Sequence, residues 1–340
     1  MATIKEVARL AGVSVATVSR ALNQPESVKE NTRRQVMEAV HALHYSPNFL
    51  GKNLRQLHTK RILVVLNSIS NQFYSRVVRG IEDKARELDY NVLIMTTRDL
   101  QKNILDAISM IQTKVVDGAI FMTTLHAEQQ ISELNRSYPI VCACEPVGDP
   151  DISCVSIDNI QAGYDATKFL IENGKRRIAL LGIESDLLDT DYNGTLTGSA
   201  IMRETGYRKA LKEAGIPVDT ALLFPEGLTY KAGNRCVKQI LKLQELPDAI
   251  FAFSDAGAIG AIQALEANGI HVPQDISVIG FDNTAMSEVY QPSVTTIGQP
   301  QYTIGTTAME LLFERIGGNP TQSVLVQHRL IQRQSVCPSK

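Results

Sequence analysis

Four residues near the start of the chain have the types and spacing of a nucleic-acid contact: Val15, Ala16, Ser19 and Arg20. On a helix these positions share one face, because residues three or four apart are neighbours on its surface. An arginine can bond the edge of guanine through two hydrogen bonds, whereas valine and alanine can only contact a thymine methyl group or match the groove shape. This face therefore predicts contact with the major groove of a DNA duplex.

Two short helices are predicted to present that face. Thr3 and Glu6 have the spacing of a capping box at the start of the first helix, and Gly12 ends that helix. Ser14 then caps a second helix over residues 15–23. Two helices joined through a glycine turn form a helix-turn-helix, whose second helix enters the major groove with its N-terminal end first.

Apolar spacing predicts how these helices pack on each other. Val7 and Leu10 of the first helix are expected to face inward with Val18 and Leu22 of the second. A third helix is predicted over about residues 30–44, with an apolar face of its own. The result is a small all-α head.

The same stretch carries a family resemblance. It rests on Ile4-Lys5-Glu6-Val7-Ala8, on the run from Ala11 to Asn23, on Thr32-Arg33 and on Leu43-His44-Tyr45-Ser46-Pro47-Asn48. In order and almost without interruption, these segments resemble the LacI/GalR family of bacterial transcriptional repressors, and most of all its branch of cytidine repressors, purine repressors and catabolite control proteins. The resemblance makes Val15, Ala16 and Arg20 the base-facing residues, and it implies phosphate contacts, which fix register without reading sequence, at Thr17, Ser19, Asn23 and Thr32.

A short helix is predicted after the head, because Ser46-Pro47 supplies a cap followed by proline at the first helical position. It runs only to about Leu57, which is too short to be stable alone in water. In the family this hinge helix orders over the operator centre, and its leucine enters the minor groove. That residue is Leu54 here, with Arg55 beside it. Gly51 stands where the family usually has alanine, which should cost the helix about 1 kcal/mol.

Charge separates this front segment from the remainder of the chain. Residues 1–61 contain ten Lys and Arg against four Glu, and the remaining residues contain 24 basic against 32 acidic residues. The basic front and acidic remainder favour a nucleic-acid module attached to a part that does not touch the polyanion.

Composition excludes several other classes of protein. A hydrophobic content of 44% with 21% charged residues excludes a disordered chain. The polar start from Met1 to Glu6 differs from a signal peptide, and five cysteines do not form an even disulfide framework, so a reducing cytoplasm is expected. No phosphate-binding loop, dinucleotide fingerprint or zinc-protease motif is found, so we expect neither an enzyme nor a cofactor.

The remainder of the chain alternates apolar runs with helical patterns. Continuous apolar runs predict strands buried on both faces at Arg61–Asn67, Asn91–Met95, Gly118–Met122, Ile140–Cys144, Ile178–Leu181, Ala249–Phe253 and Ile276–Phe281. Helices are predicted between them, over about 72–88, 102–114, 159–173, 202–214, 231–243 and 256–268. Strand-helix alternation predicts parallel α/β sheets, with enough elements for two.

Ligands of such sheets bind just beyond the carboxyl ends of the strands. Asn71, Phe73 and Tyr74 follow the first strand, and Arg203 begins the helix after the strand at Ile178–Leu181. Aromatic faces together with Arg and Asp groups suit a neutral sugar or nucleoside, because rings stack on it and charged groups bond its hydroxyls. In the family, positions matching Phe73, Tyr74, Arg203, Asp255 and Asp282 line the effector pocket, and Leu228 and Tyr230, in a loop, are weaker candidates.

Two interpretations stay open at these positions. Phe73 can be a plain core residue, and Arg203 with Asp282 can form a structural pair between lobes. Residues 184–200 form a longer loop than is usual for the family, and its role stays open. Cys142 and Cys144 are expected on one face of a buried strand, as core residues.

The resemblance covers nearly the whole chain and implies its organisation. It predicts a helix-turn-helix domain over 1–45, a hinge helix and linker over 46–60, and an effector-binding and dimerisation domain over 61–340, with an N-lobe of about 61–160 and 299–328 and a C-lobe of about 161–298 and 329–340. The implied fold is a helix-turn-helix head plus two doubly wound parallel-sheet lobes resembling periplasmic binding proteins.

The function implied is that of a cytoplasmic repressor. A homodimer would bind a pseudo-palindromic double-stranded operator, under the control of a sugar or nucleoside held between the lobes. One alternative is a catabolite regulator whose co-repressor is a phosphorylated carrier protein. A solute-binding receptor and an enzyme on the same scaffold are further alternatives, which the basic front and the missing catalytic motifs oppose.

Overall fold

The computed structural model describes residues 2–45, 58–98, 100–124, 127–183, 198–226 and 228–337, without the side chains of Asn23 and Gln101. These residues belong to two compact units, within Met1–Thr59 and Lys60–Lys340. We call them the head and the body and describe each by itself. Within the described ranges, no helix is long and apolar enough to cross a membrane. The predicted hinge helix, with Leu54 and Arg55, lies outside the described residues, as do residues 184–197 of the predicted insertion.

The head consists of three helices. They are α1 (Ile4–Leu10), α2 (Val15–Asn23) and α3 (Glu30–Ala42), with a single 3₁₀ turn at Pro25–Ser27. The capping box is present, because the Glu6 carboxylate accepts from the Thr3 backbone N–H at 2.7 Å and Thr3 Oγ1 accepts from Glu6 N–H at 3.4 Å. Gly12 has φ 68°, the left-handed conformation that ends a helix, and Ser14 caps α2.

The core of the head differs from the prediction at one residue. Val7, Val18 and Val36, one from each helix, are fully buried, and Leu22 packs against them. Leu10 is 56% exposed instead of facing inward. The chain turns directly after Leu10, and Ala11 and Val13 pack against the core at that point.

The N-lobe of the body is a six-stranded sheet. Its strands, in the order β11-β5-β4-β3-β1-β2, are β1 (Arg61–Leu66), β2 (Asn91–Thr96), β3 (Gly118–Phe121), β4 (Ile140–Ala143), β5 (Cys154–Ser156) and β11 (Val324–Leu325). Its helices are α4 (Gln72–Glu87), α5 (Gln101–Gln112), α6 (Glu128–Asn135) and α12 (Gln301–Ile316). Every strand pair is parallel, and separate apolar clusters pack on the two faces.

The C-lobe repeats this architecture. Its strands, in the order β12-β10-β9-β8-β6-β7, are β6 (Ile178–Leu181), β7 (Leu223–Phe224), β8 (Ala249–Ala252), β9 (Ser277–Asp282), β10 (Thr295–Gly298) and the antiparallel β12 (Arg329–Ile331). Its helices are α7 (Asn159–Glu172), α8 (Ser199–Glu213), α9 (Tyr230–Ile240), α10 (Asp255–Glu266) and the short α11 (Ala285–Val289). The chain crosses between the lobes after β5, after β10 and after β11. The two predicted parallel-sheet lobes are therefore confirmed.

Pairs of glycines let helices approach closely in both lobes. A Cβ on Gly163 of α7 would lie 2.2 Å from the Arg203 carbonyl oxygen, and one on Gly206 of α8 would lie 2.0 Å from the Ile160 carbonyl oxygen. Similar approaches occur between α4 and α12, at Gly80 and Gly305, and between α9 and α10, at Gly233 and Gly260. The pair at Gly163 and Gly206 sets the position of α8, the helix that carries Arg203.

Cys142 in β4 and Cys144 just after it pack in different clusters, contrary to the prediction of one face. Cys142 packs in the cluster beneath α5 and α6 and is paired in register with Cys154 of β5. Cys144 has φ 74°, which turns the chain just after the strand ends, and its side chain joins the opposite cluster. The alternation of side chains along a strand therefore does not extend to Cys144.

Candidate functional site

A cleft opens between the two lobes of the body, at the carboxyl ends of their strands. Its main cavity measures about 750 Å³, and a deeper one of about 100 Å³ adjoins it. The main cavity is lined from the N-lobe by Asn67, Ser68, Ile69, Ser70, Asn71, Gln72, Tyr74, Thr96 and Arg98, and from the C-lobe by Leu228, Thr229, Tyr230, Ser254, Ala256, Asp282 and Thr284. Binding sites for small molecules commonly have this size and concave shape.

Arg203 forms the floor of the deeper cavity. Its Nε donates to Asn159 Oδ1 at 2.9 Å and its Nη1 to the Phe253 carbonyl oxygen at 2.9 Å. The guanidinium carbon lies 3.7 Å from the centre of the Phe281 ring, a cation–π contact. The side chain is only 8% exposed, and burial lowers the pKa of Arg203 while Asp282 opposes this shift. Arg203 is thus a rigidly held cation that faces the ligand space.

Asp282 lies at the end of β9 and lines both cavities. Its Oδ1 accepts from Gln299 Nε2 at 2.8 Å. Burial raises the pKa of Asp282, and the nearby Arg203 opposes this shift. The residue has φ 111°, a region that side chains other than glycine rarely adopt, and such strain is typical of functional sites. Both Arg203 and Asp282 belong to the C-lobe, so the expectation of a pair between the lobes is wrong.

The N-lobe supplies the aromatic wall. Asn71 caps α4 by accepting from the Phe73 backbone N–H at 2.9 Å, which fixes the start of the helix at the cleft. Phe73 and Tyr74 form an edge-to-face pair with their ring centres 5.4 Å apart. Phe73 is 7% exposed and also packs in the N-lobe core, so it contacts both the core and the deeper cavity. Burial raises the pKa of Tyr74, which keeps its hydroxyl protonated as a donor.

Asp255 lies behind the cleft instead of in its lining. It is fully buried, and its carboxylate accepts from Thr284 N–H, Thr284 Oγ1 and Thr296 Oγ1 at 2.6, 3.0 and 2.6 Å. Gly280 makes room for it, since a Cβ there would lie 2.5 Å from Asp255 Oδ1. This carboxylate anchors the loop after β9, and Thr284 in that loop lines the cavity.

Leu228 and Tyr230 lie at the rim of the cleft, on the C-lobe side. They are 50% and 44% exposed and precede or begin α9, whose cap is Thr229. Tyr230 is thus the first helical residue and not a loop residue, because the cap makes the helix start one residue earlier than the apolar pattern indicates.

The cleft also contains residues that the sequence did not predict. Cys144 and Glu145 line the deeper cavity, and Arg98, with φ 51°, lines the main one. All three follow the carboxyl ends of strands, so the rule that selected Asn71 also points to them. Arg98 follows β2, an edge strand whose side chains are mostly only half-buried.

Most of the predicted DNA-contacting residues of the head lie on α2, and Thr32 lies near the start of α3. Val15 is 40% exposed, and Ala16 and Arg20 are exposed beside it. Thr17, Ser19 and Thr32 are half-buried, and the Thr17 and Ser14 hydroxyl oxygens lie 2.8 Å apart. Asn23 ends α2, although its side chain lies outside the description. Arg20 is therefore the long polar side chain that α2 presents beside two small apolar ones.

A metal centre is not among the features of the described part of the chain, which contains no group of three or more His, Cys, Asp or Glu able to hold an ion. All five cysteines are free thiols.

Comparisons with known proteins agree with both units. The family model described as "Bacterial regulatory proteins, lacI family" matches residues 3–48, and that described as "Periplasmic binding proteins and sugar binding domain of LacI family" matches residues 59–334. Catabolite control protein A of Priestia megaterium is 37% identical, covering 98% of each chain. The transcriptional repressor CytR of Escherichia coli (strain K12) is 36% identical, covering 93% of this chain and 90% of its own.

Solved structures agree as well. The Lac repressor dimer bound to operator and the anti-inducer ONPF has a TM-score of 0.84 at 25% identity, covering 99% of both chains. The complex of the regulator CelR with cellobiose has a TM-score of 0.72 at 29% identity, covering 98% of this chain and 100% of its own. With a helix-turn-helix head and a two-lobed, effector-binding body, the chain belongs to the LacI family of bacterial transcriptional repressors.

Proposed function

We propose that this repressor is controlled by a neutral, hydroxyl-rich small molecule, a sugar or a nucleoside, bound in the cleft of the body. The observation that carries the proposal is the pairing of two kinds of surface. Arg203 supplies a guanidinium and Asp282 a carboxyl group, both able to form hydrogen bonds, on the C-lobe side, while Phe73 and Tyr74 supply ring faces on the N-lobe side. Charged groups bond hydroxyls strongly, and rings cover the apolar face of a sugar or base.

The size and polarity of the main cavity support this class of ligand. A space of about 750 Å³ accommodates a monosaccharide, a disaccharide or a nucleoside. Its lining is rich in hydroxyl and amide side chains, among them Asn67, Ser68 and Thr284. A structural neighbour named as a complex with cellobiose also supports a carbohydrate.

On the DNA side, we propose that a homodimer binds a pseudo-palindromic operator. One α2 helix reads one half-site, so two copies related by a two-fold axis are needed for a complete operator. Val15, Ala16 and Arg20 would contact bases, and Thr17, Ser19, Asn23 and Thr32 would contact phosphates. The neighbour described as a repressor dimer bound to operator supports this arrangement. Leu54 and Arg55 stay predicted minor-groove contacts.

The coupling between ligand and DNA follows from binding free energies. A ligand changes operator affinity only if it binds the two lobe arrangements with different affinity, and such coupling is typically about 1–3 kcal/mol. A carrier-protein co-repressor is the second candidate, favoured by the match to catabolite control protein A. Because a repressor acts on chromosomal DNA, we propose the cytoplasm as its place of action.

Screening the full chain by thermal shift against pentoses, hexoses and nucleosides tests the proposal. A compound that stabilises the protein should do so by binding in the cleft. Arg203→Ala should therefore abolish the thermal shift that the compound causes. If no compound in these classes stabilises the protein, the small-molecule proposal is wrong and the carrier-protein candidate gains support.

A further inference from the structure

Two buried glutamines bond Asp282, and they belong to different lobes. Gln299 directly follows β10 of the C-lobe, and its Nε2 donates to Asp282 Oδ1 at 2.8 Å. Gln301 is the first residue of α12, an N-lobe helix, and its Nε2 donates to the backbone carbonyl oxygen of Asp282. The two glutamines are only 6% and 5% exposed, so water does not replace these bonds while the lobes stay in this arrangement.

The two bonds respond differently to a change in the angle between the lobes. Asp282 ends β9, which pairs in register with β10, so Gln299 and Asp282 move together as parts of one sheet. Helix α12 packs on α4 and on β3, β4 and β5 of the N-lobe. We therefore expect a rotation of the lobes to displace Gln301 relative to Asp282 while Gln299 stays beside it.

The Asp282 carbonyl oxygen, which accepts the bond from Gln301, belongs to a strained residue of the cleft. Asp282 has φ 111° and Asn283 φ 57°, so the chain turns sharply at the point where the cleft carboxylate is presented. Conformations of this kind persist only when surrounding contacts hold them. The bond from Gln301 supplies such a contact from the opposite lobe, and it acts on the backbone of a residue that lines the ligand space.

We infer that the hydrogen bond from Gln301 Nε2 to the Asp282 carbonyl oxygen is a lobe latch, which favours one angle between the lobes and connects that angle to the cleft. In this assignment Gln301 is a positioning residue that acts through Asp282, whereas Gln299 orients the Asp282 carboxylate within one lobe. The inference rests on the proposed function, because it makes a ligand on Asp282 sensitive to the lobe angle. The latch thereby gives a ligand different affinities for the two lobe arrangements, which allosteric control requires.

The latch can be tested on the ligand-free full chain, with the same substitution at two positions. Gln301→Met and Gln299→Met each remove one amide donor while nearly conserving side-chain volume. Spin labels attached to azidophenylalanine at Lys102 and Lys231, exposed residues at the cleft ends of α5 and α9, report the distance between the lobes by pulsed electron paramagnetic resonance. This labelling leaves the native cysteines untouched.

Gln301→Met should raise the population of a second, altered lobe distance about fivefold, the effect of one typical hydrogen bond. Gln299→Met should change that population less than about twofold. Equal distributions in Gln301→Met and the parent, or equal changes in both variants, would overturn the latch. If Gln301→Met does not fold, Gln301→Asn, whose amide is too short to reach, replaces it. Since no ligand is present, failure here leaves the effector proposal intact, which the thermal-shift screen tests separately.

Discussion

The head and the cleft of the body position their candidate functional side chains in opposite ways. In the head, the residues that we propose to contact bases lie within a single nine-residue helix, α2, and they stay exposed. In the cleft, Arg203 and Asp282 are 79 positions apart in sequence, buried, and held by partners from other elements. A local pattern is therefore enough to predict the first site, whereas the second depends on the assembled sheets.

The largest predicted effect concerns the cleft. Arg203→Ala should abolish ligand binding and also destabilise the body, by about 1–3 kcal/mol for each of two buried acceptors, Asn159 Oδ1 and the Phe253 carbonyl oxygen, that lose their donor. Titration calorimetry and denaturant unfolding measure the two effects.

Lys209→Ala is the matched control for this variant. Lys209 lies on the same helix and is exposed, with its ammonium 5.0 Å from the centre of the Tyr164 ring, so ligand binding should stay within about twofold of the parent. Equal loss of binding in both variants would show that α8 as a whole, and not the guanidinium of Arg203, determines affinity.

The next predicted effect is on the stability of the body and tests the close packing of α7 against α8. Gly163→Ala should lower the free energy of unfolding by about 3 kcal/mol, since its methyl group would overlap the Arg203 carbonyl oxygen and push α7 and α8 apart. Gly269→Ala, where the added methyl group meets open space at φ 73°, should cost only about 1 kcal/mol. Comparable losses, measured by urea unfolding, would contradict the close approach of α7 and α8.

A smaller effect is expected in the head. Arg20→Ala should weaken operator binding by about 1–3 kcal/mol and relax preference at one base position, while the body keeps its ligand affinity. Thr32→Ala should weaken all sequences alike, because phosphates are the same at every step. Binding to a library of operator variants distinguishes them, and an unchanged base preference in Arg20→Ala would refute the groove assignment.

A further effect is a dependence of the free energy of unfolding on pH. Burial raises the pKa of Asp282 in the folded state, so its contribution to stability is complete below the ordinary value of 3.8 and is lost as the pH rises toward the raised value. Asp282→Asn should flatten this part of the stability curve. If the stability of the parent protein instead rises with pH over that range, by an amount that Asp282→Asn removes, the attraction between Asp282 and Arg203 outweighs the cost of burial.

Sequence alone predicted most of the architecture, because long apolar runs and long amphipathic patterns identify their elements. It did not predict the short helices α6 and α11, or α12, whose sequence contains Gly305 and three threonines, all weak helix formers. It also missed β7, β11 and β12, which have two or three residues and are too brief to show a period, and β10, whose sequence Thr-Thr-Ile-Gly is not an apolar run. These elements are specified by their neighbours in the sheets.

The errors at individual residues have the same origin. Leu10 and Cys144 each stand next to a turn that changes which face a side chain occupies, and a pattern that assumes a regular element cannot register that change. Asp255 has the composition of a ligand contact, but three hydroxyl and amide donors of its own lobe occupy its carboxylate. Its role depends on Thr284 and Thr296, which are distant in sequence.

One measurement tests most directly whether a ligand in the cleft controls the affinity of the head for DNA. Fluorescence anisotropy gives the Kd of the full chain for an operator sequence selected from the library of variants. The Kd is measured with and without a saturating amount of the compound found by thermal shift. We expect the operator Kd to change about 5–150-fold, and this change should disappear in Arg203→Ala. An operator Kd that stays the same when the cleft is fully occupied would contradict this expectation.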